Sequence, residues 1–245
     1  MAVSSPSPHV PLTTIRFRSH EIFGEYITKH ELPRKIFHSS IGLITLYFFV
    51  QGVDYTKIAS RLFIAFITIL ILDVIRLNWH AFNWLYCKFV GMLMRPSEVN
   101  KYNGVLFYIL GLIFCFGFFQ KDICLISVML LSWSDTAAST FGRKYGHLTP
   151  KIARNKSLAG SLAAFVVGVI SVYTVYGVIL PLYPDLSRYE DIKWHPEMSA
   201  LSLPVISVLG GFVASFSEGI DICNIDDNLT IPVLSSLFMA FVTSF

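Results

Sequence analysis

An aspartate followed by a dense set of cations is the part of this sequence that most strongly suggests chemistry. Asp135 stands at the end of an apolar run, and an ionised carboxylate in or near a bilayer costs roughly 2.5–3.5 kcal/mol even on the more lenient insertion scale. Such a residue needs a functional or pairing reason to be there. We expect a loop over 142–157 that could hold several phosphates, because it contains five cations: Arg143, Lys144, Lys151, Arg154 and Lys156. An acid beside a basic loop indicates metal-assisted phosphate chemistry on a lipid.

Two more polar clusters flank the apolar part of the chain. One is basic and precedes the first apolar stretch; it contains Arg34, Lys35 and His38. The other is acidic and precedes the last apolar stretch; it contains Glu218, Asp221, Asp226 and Asp227. Carboxylates hold divalent cations that bridge phosphate oxygens, while Arg and Lys neutralise the remaining charge. Because these ligands are oxygen atoms without a His/Cys set, we expect magnesium, held by Asp135, Asp226 and Asp227.

Each cluster taken singly also has a simpler interpretation. Arg34 and Lys35 could be membrane-surface anchors, and the cations of 142–157 could form a patch for lipid headgroups. His38 could be an ordinary hydrogen-bonded helix residue, and the acids at 226–227 could be plain loop residues. The functional interpretation depends on all three clusters lying on one side of the membrane.

The composition is that of a membrane protein. Hydrophobic residues make up 54% of the chain and charged residues only 14%. Stretches long enough to cross a bilayer occur at about 36–53, 58–77, 104–120, 122–141, 158–181, 201–219 and 229–245. The stretch 79–94 is short and rich in aromatics, which suits a helix lying in the interface. We therefore predict an all-α, polytopic integral membrane protein with about seven transmembrane helices and one interfacial helix, with a polar, disordered cytosolic tail at 1–30 and a membrane-embedded catalytic domain at 31–245.

The distribution of cations fixes the orientation. If 79–94 lies in the interface, fourteen of the 19 Lys and Arg residues fall on one face. That face carries the tail, the 76–103 region, the 142–157 loop and the 220–228 loop. Since cytosolic loops carry an excess of Lys and Arg, we expect this face, and the polar clusters on it, to be cytosolic.

Several other classes of protein are excluded by missing patterns. The four cysteines, Cys87, Cys115, Cys124 and Cys223, are scattered without CxxC spacing, so a zinc site and a disulfide framework are not expected. The chain has neither a GxxxxGK[ST] phosphate loop nor the Gly-rich, HRD and DFG set of protein kinases. Phosphoryl transfer would therefore need a membrane-embedded site of another kind.

Four segments in order resemble a known group of membrane enzymes. They are RKIFH before the first span, DTAAS with FGRKYG, KIARNKSLAGS, and DDNLTIP near the end, and together they cover about residues 34–232. The order is similar to that of the CTP-using enzymes that include phosphatidate cytidylyltransferase, dolichol kinase and phytol kinase. The short K-S-x-x-G segment at Lys156, Ser157 and Gly160 is closer to the kinase branch. Chain length makes the fungal CTP-dependent diacylglycerol kinases the nearest resemblance.

This resemblance implies that CTP and diacylglycerol are converted to CDP and phosphatidate. It also implies essential roles for Arg34, Lys35, Asp135 and Gly142. We expect catalysis by Arg34, Lys35 and Asp135, with magnesium on the β- and γ-phosphates. We expect the nucleotide to be bound by Gly142, Arg143, Lys144, Lys156, Ser157 and Gly160.

The expected partners are CTP, diacylglycerol and membrane lipids, with no nucleic acid, and the expected location is the membrane of the endoplasmic reticulum and nuclear envelope. A phytol or other prenol kinase, a phosphatidate cytidylyltransferase, and a transporter whose buried acid marks an ion path are the alternatives. The sequence does not predict the oligomeric state.

Overall fold

The structure is a computed structural model of the chain and describes residues 31–153, 156–186, 191–220 and 225–245. The predicted tail at 1–30 lies outside the described residues, and so do Arg154, Asp221 and Cys223. Cys87, Cys115 and Cys124 are buried in the core.

Helices dominate the described residues. The α-helices are α1 (Leu32–Val50), α2 (Tyr55–Asn78), α3 (His80–Val90), α4 (Gly104–Phe118), α5 (Lys121–Met129), α6 (Asp135–Tyr145), α7 (Leu158–Tyr173), α8 (Leu180–Leu182), α9 (Leu203–Gly219) and α10 (Asp227–Val242). Turns of π-helix at Leu130–Ser134 and Thr174–Ile179 join α5 to α6 and α7 to α8. Turns of 3₁₀ helix cover Gly91–Leu93, Pro96–Asn100, Gly146–Leu148 and Pro184–Leu186. One antiparallel hairpin, β1 (Lys151–Ala153) with β2 (Lys156–Ser157), is added to the predicted all-α fold.

Polar side chains cap several of the helices that follow loops. Asp54 accepts a hydrogen bond from the backbone N–H of Thr56 at the start of α2, and Asn103 accepts from Val105 at the start of α4. Ser157 and Asp226 do the same for α7 and α10. Such caps satisfy donors that the first turn of a helix leaves unpaired. Two of the residues predicted to be functional therefore also determine where a helix begins.

Three helical segments are long and apolar enough to cross a membrane: α2, the continuous segment Lys121–Leu148, and Leu158–Leu182. The helices α4, α9 and α10 are apolar but shorter. The segment Lys121–Leu148 is the centre of the fold, since 67% of its most apolar window is buried, against 6% for α2. The helix that carries Asp135 is therefore enclosed by others, whereas α2 lies at the periphery.

The stretch 79–94 does not form a spanning helix. Its helix α3 has 11 residues, which corresponds to about 16 Å and is too short for a hydrocarbon core of about 30 Å. Trp79, Trp84 and Phe89 are exposed along it, whereas Asn83 and Cys87 are buried against the protein. The structure thus agrees with the prediction that this stretch does not cross the membrane.

Glycines let α7 and α9 pack closely against each other. A Cβ atom on Gly168 would lie 2.9 Å from the Cα of Gly211, and one on Gly210 would lie 2.3 Å from Cγ2 of Val172. Helices in membranes associate mainly through such close backbone packing, because lipid provides no hydrophobic drive between them. These glycines therefore serve contacts within one chain.

A buried arginine organises the segment between α3 and α4. Arg76, near the end of α2, pairs with Asp73 and donates hydrogen bonds to the carbonyl oxygens of Glu98, Val99 and Lys101. The side chains of both Arg76 and Asp73 are fully buried. Because the guanidinium binds three carbonyls of one segment, it fixes the path of residues 95–103.

We predict that Arg76→Ala strongly destabilises the protein. The substitution leaves the buried Asp73 carboxylate without its cation, and breaking a buried pair in this way costs about 3–5 kcal/mol. Thermal unfolding in detergent micelles should show a markedly lower Tm. Arg61→Ala, on the exposed side of the same helix, should keep the wild-type Tm; equal Tm values for the two variants would contradict the role given to Arg76.

Candidate active site

A polar cavity of about 620 Å³ lies at the end of the helices where α6, the hairpin, α9 and α10 meet. Nine of the residues predicted to be functional line it: Arg34, Asp135, Gly142, Arg143, Lys156, Ser157, Gly160, Asp226 and Asp227. Folding therefore brings together residues from both ends of the chain. The three polar clusters of the sequence contribute to one cavity.

Lys156 forms ion pairs with acids on two of the helices that line this cavity. Its Nζ lies 2.9 Å from Oε1 of Glu218 and 2.7 Å from Oδ2 of Asp227. Burial by itself would lower the pKa of Lys156, but the two carboxylates outweigh it and the pKa is raised. The side chain therefore keeps its positive charge throughout the physiological pH range.

Two arginines of the cavity share one acid. Oε2 of Glu31 lies 2.9 Å from Nη2 of Arg143 and 3.5 Å from Nη1 of Arg34. Burial tends to raise the pKa of Glu31, yet Arg34 and Arg143 reverse the effect and lower it. Glu31 therefore stays ionised and holds both guanidinium groups at the cavity.

Arg95 is a cavity residue that the sequence analysis missed. Its Nη1 lies 3.6 Å from Oδ2 of Asp226, and it belongs to the segment whose path the buried Arg76 fixes. Nothing in the sequence around Arg95 indicates a functional role. The charged pair of Asp73 and Arg76 inside an apolar span does indicate that the residues in contact with it are held in place. Glu218, noted among the polar residues but not assigned a role, also lines the cavity.

The π-helical turn Leu130–Ser134 immediately precedes Asp135. One residue more per turn rotates everything after it by about 100° relative to a regular helix, and such turns are common at functional sites. On the neighbouring helix, the carbonyl oxygen of Ser39 accepts a hydrogen bond of 3.2 Å from Nε1 of Trp133. The turn is thus anchored to α1, and it directs the carboxylate of Asp135 to the cavity.

The prediction of a loop over 142–157 was wrong. The central helix continues through Tyr145 and a 3₁₀ turn follows, so Gly142 and Arg143 lie on a helix rather than on a flexible phosphate-binding loop. The helix persists because α7 packs on it: a Cβ on Gly160 would lie 3.5 Å from the Cα of Gly142 and 3.0 Å from the carbonyl oxygen of Ala138. These glycines allow two helices to approach closely beside the cavity.

Two predicted residues do not line the cavity. Lys35 donates a hydrogen bond of 2.9 Å to Oγ1 of Thr140, and Nζ of Lys144 lies 5.1 Å from the ring centroid of Tyr145. Each is the helical neighbour of an arginine that does line the cavity. Since successive residues of a helix point about 100° apart, only one residue of each pair faces inward.

Known proteins with similar sequences extend over almost the whole chain. The "CTP-dependent diacylglycerol kinase 1" of Saccharomyces cerevisiae is 63% identical over 236 residues, which cover 96% of this chain and 81% of the yeast protein. The protein of the same name from Schizosaccharomyces pombe is 42% identical over 90% of this chain and 97% of its own length. The chain belongs to the CTP-dependent diacylglycerol kinase family.

Phytol kinases are more distant relatives of this diacylglycerol kinase family member. "Phytol kinase 1, chloroplastic" of Arabidopsis thaliana is 26% identical over 89% of the chain and 68% of its own length. Neither a protein-family model nor a solved structure matches the chain. Among the kinases that the sequence resembles, the sequence identities therefore favour the diacylglycerol kinases over the phytol kinases.

Two of the predicted metal ligands in the cavity are already engaged by cations. Asp226 faces Arg95, and Asp227 faces Lys156. In the part of the chain that the structure describes, no group of three or more His, Cys, Asp or Glu side chains is arranged to hold a metal ion. The magnesium site on Asp135, Asp226 and Asp227 stays a prediction.

We predict that Gly160→Ala lowers kcat in a CTP-dependent diacylglycerol kinase assay by about tenfold, because small misplacements of reacting groups are costly. The added Cβ would lie 3.0 Å from the backbone oxygen of Ala138, so α6 and α7 must move apart and Asp135 shifts relative to Lys156. Gly117→Ala is the matched control, since no heavy atom lies within 4 Å of a Cβ at that position. Wild-type kcat in the Gly160 variant would contradict the role of close helix packing.

Proposed function

We propose that this chain transfers the γ-phosphoryl group of CTP to diacylglycerol, giving phosphatidate and CDP. The observation that carries the proposal is the cavity in a member of this family, where Asp135 and the cations Arg34, Arg143 and Lys156 converge. Phosphoryl transfer depends mainly on positioning and on electrostatic stabilisation of the transferred group. A cavity lined by cations and carboxylates provides both.

The cations of the cavity bind different parts of the nucleotide in this proposal. Lys156 and Arg143 hold phosphate oxygens, and Arg34 stabilises charge on the γ-phosphoryl group as it is transferred. Lys35 lies outside the cavity and supports α6 through its hydrogen bond to Thr140. Lys144 also lies outside the cavity. Ser157, Gly142 and Gly160 give the triphosphate a wall without bulky side chains.

The transfer exchanges one oxygen–phosphorus bond for another. The free hydroxyl oxygen of diacylglycerol bonds to the γ-phosphorus, and the bond from that phosphorus to the bridging oxygen of the β-phosphate breaks. CDP leaves with the bridging oxygen. The hydroxyl proton passes to a carboxylate of the cavity, for which Glu218 is well placed, because its Oε2 is buried and has no hydrogen-bond partner among the described residues.

The residues fit a magnesium ion that is delivered with the nucleotide. Mg²⁺ is commonly bound by only one or two carboxylates together with substrate phosphates and waters, so a preformed group of three acids is not required. Asp135 would hold the ion, assisted by Asp226 or Asp227. When bound, the ion neutralises charge on the β- and γ-phosphates.

The cavity faces the cytosol in this proposal, and about seven helices cross the membrane. The described helices α1, α2, α4, α7, α9 and α10, with the central segment, are the proposed spans, and α3 lies in the interface. The endoplasmic reticulum and nuclear envelope are the proposed location, since the resemblance to fungal enzymes implies them. The N-terminal tail belongs to the same cytosolic face.

A matched pair of lysines on the hairpin tests the function. Lys156 on β2 lines the cavity, whereas Lys151 on β1 is exposed and does not. We predict that Lys156→Met reduces transfer from CTP to diacylglycerol by about 10³-fold, the magnitude typical of losing a charge that stabilises a phosphoryl-transfer transition state. Lys151→Met should retain wild-type transfer of labelled phosphate in mixed micelles.

Folding of the Lys156 variant is checked by its Tm, because the substitution also leaves Glu218 and Asp227 unpaired. If Lys156→Met does not fold, Lys156→Arg keeps the charge while changing its geometry, and it should give folded protein with reduced transfer. Full activity in folded Lys156→Met would refute a phosphate-binding role for Lys156, and full activity in Lys156→Arg would refute a requirement for the geometry of the lysine.

A further inference from the structure

An apolar groove lies beside the polar cavity, between α7 and α9. It has a volume of about 570 Å³, and apart from two serines and a glycine its lining is hydrophobic: Ile152, Leu158, Leu162, Phe165, Phe212, Phe216 and Ile220. The side chain of Leu162 is 60% exposed and that of Phe212 is 53% exposed. Since both helices are apolar, we expect the groove to open toward the lipid rather than toward water.

The groove and the cavity share one lining residue. Ser161 lines both of them, and on the facing helix Glu218 lines the cavity while the next residue, Gly219, lines the groove. A Cβ on Gly219 would be in van der Waals contact with Oγ of Ser161, at 3.8 Å, so the glycine leaves room for a passage at this point. A molecule with an apolar body and a single polar end could therefore occupy both spaces at once.

An unsatisfied polar atom lies beside this passage. Glu218 is 6% exposed, and while its Oε1 binds Lys156, its Oε2 has no partner among the described residues. A buried acceptor without a hydrogen bond destabilises the protein. A hydroxyl group entering from the groove would supply the missing donor.

Another space near the cavity fits a lipid less well. It measures about 190 Å³, and its lining combines apolar side chains such as Leu93 with polar ones that include Arg34, His38, Glu98 and Asn228. The groove is about three times larger, and only two serines among its described lining residues are polar, which suits hydrocarbon chains better. Each space shares one lining residue with the cavity, Ser161 for the groove and Arg34 for the smaller space.

We propose that the groove between α7 and α9 binds the acyl chains of the diacylglycerol acceptor and delivers its hydroxyl past Ser161 to Glu218. This assignment rests on the proposed function and names where its lipid substrate binds. The chains stay in the hydrophobic environment of the bilayer, so the lipid does not have to leave the membrane. Only the glycerol hydroxyl enters the polar cavity.

Filling the groove should weaken the binding of the lipid substrate but not the binding of CTP. Ser215 lines the groove but not the cavity, and Ser215→Trp should raise KM for diacylglycerol by about tenfold, or about 1.4 kcal/mol of binding, while leaving KM for CTP unchanged. Val166→Trp is the matched control, because Val166 is 48% exposed on α7 and does not line the groove. An unchanged KM for diacylglycerol in the folded Ser215 variant would overturn the proposal.

Photolabelling gives a readout that does not depend on turnover. A diacylglycerol with a diazirine at the end of one acyl chain should label peptides of α7 and α9 in the full-length protein, and Ser215→Trp should reduce that labelling. Labelling confined to α1 and α2 would refute the groove. Labelling of α7 and α9 in a wild-type protein that phosphorylates no diacylglycerol would refute the proposed function and support the lipid-binding groove.

Discussion

The two ion pairs of Lys156 are the interaction on which the rest of the site depends. This one ammonium group lies within 3 Å of carboxylates on two different helices, Glu218 of α9 and Asp227 of α10. It therefore ties the hairpin to both helices and neutralises acids that would otherwise repel one another where water is scarce. A triphosphate entering the cavity meets a cation already held in place. The helices around it, packed through Gly160, Gly168 and Gly210, keep that cation at a fixed distance from Asp135.

A second charged cluster at the cavity is built by the same principle with the charges reversed. One acid, Glu31, holds Arg34 and Arg143, and a buried arginine, Arg76, fixes the segment that presents Arg95. Each cluster thus uses partly buried pairs to hold its charged side chains before any ligand arrives. Preorganised charge of this kind stabilises a transition state without further rearrangement. The cost of burying these groups is offset by pairing, and the π-helical turn before Asp135 directs the remaining acid inward.

Much of this arrangement can be predicted from the sequence. The apolar stretches give the helices to within a few residues, and nine predicted site residues meet at one cavity, because order along the chain and the cation distribution place them on one face. Other features depend on contacts between distant segments. The helix through Tyr145 persists only because α7 packs on it, and Arg95 reaches Asp226 only because Arg76 fixes its segment. Lys35 and Lys144 do not line the cavity because of their rotation about the helix axis. Residue type alone does not predict that rotation.

The most direct test of the account is transfer of labelled γ-phosphate by the purified full-length protein in mixed micelles. CTP and ATP are compared as donors, and diacylglycerol, phytol and dolichol as acceptors, with Asp135→Asn as the matched inactive protein. The account predicts labelled phosphatidate from CTP and diacylglycerol with the wild-type chain and none with the folded variant. Formation of a CDP-lipid with release of pyrophosphate, or equal transfer by the Asp135 variant, would contradict it.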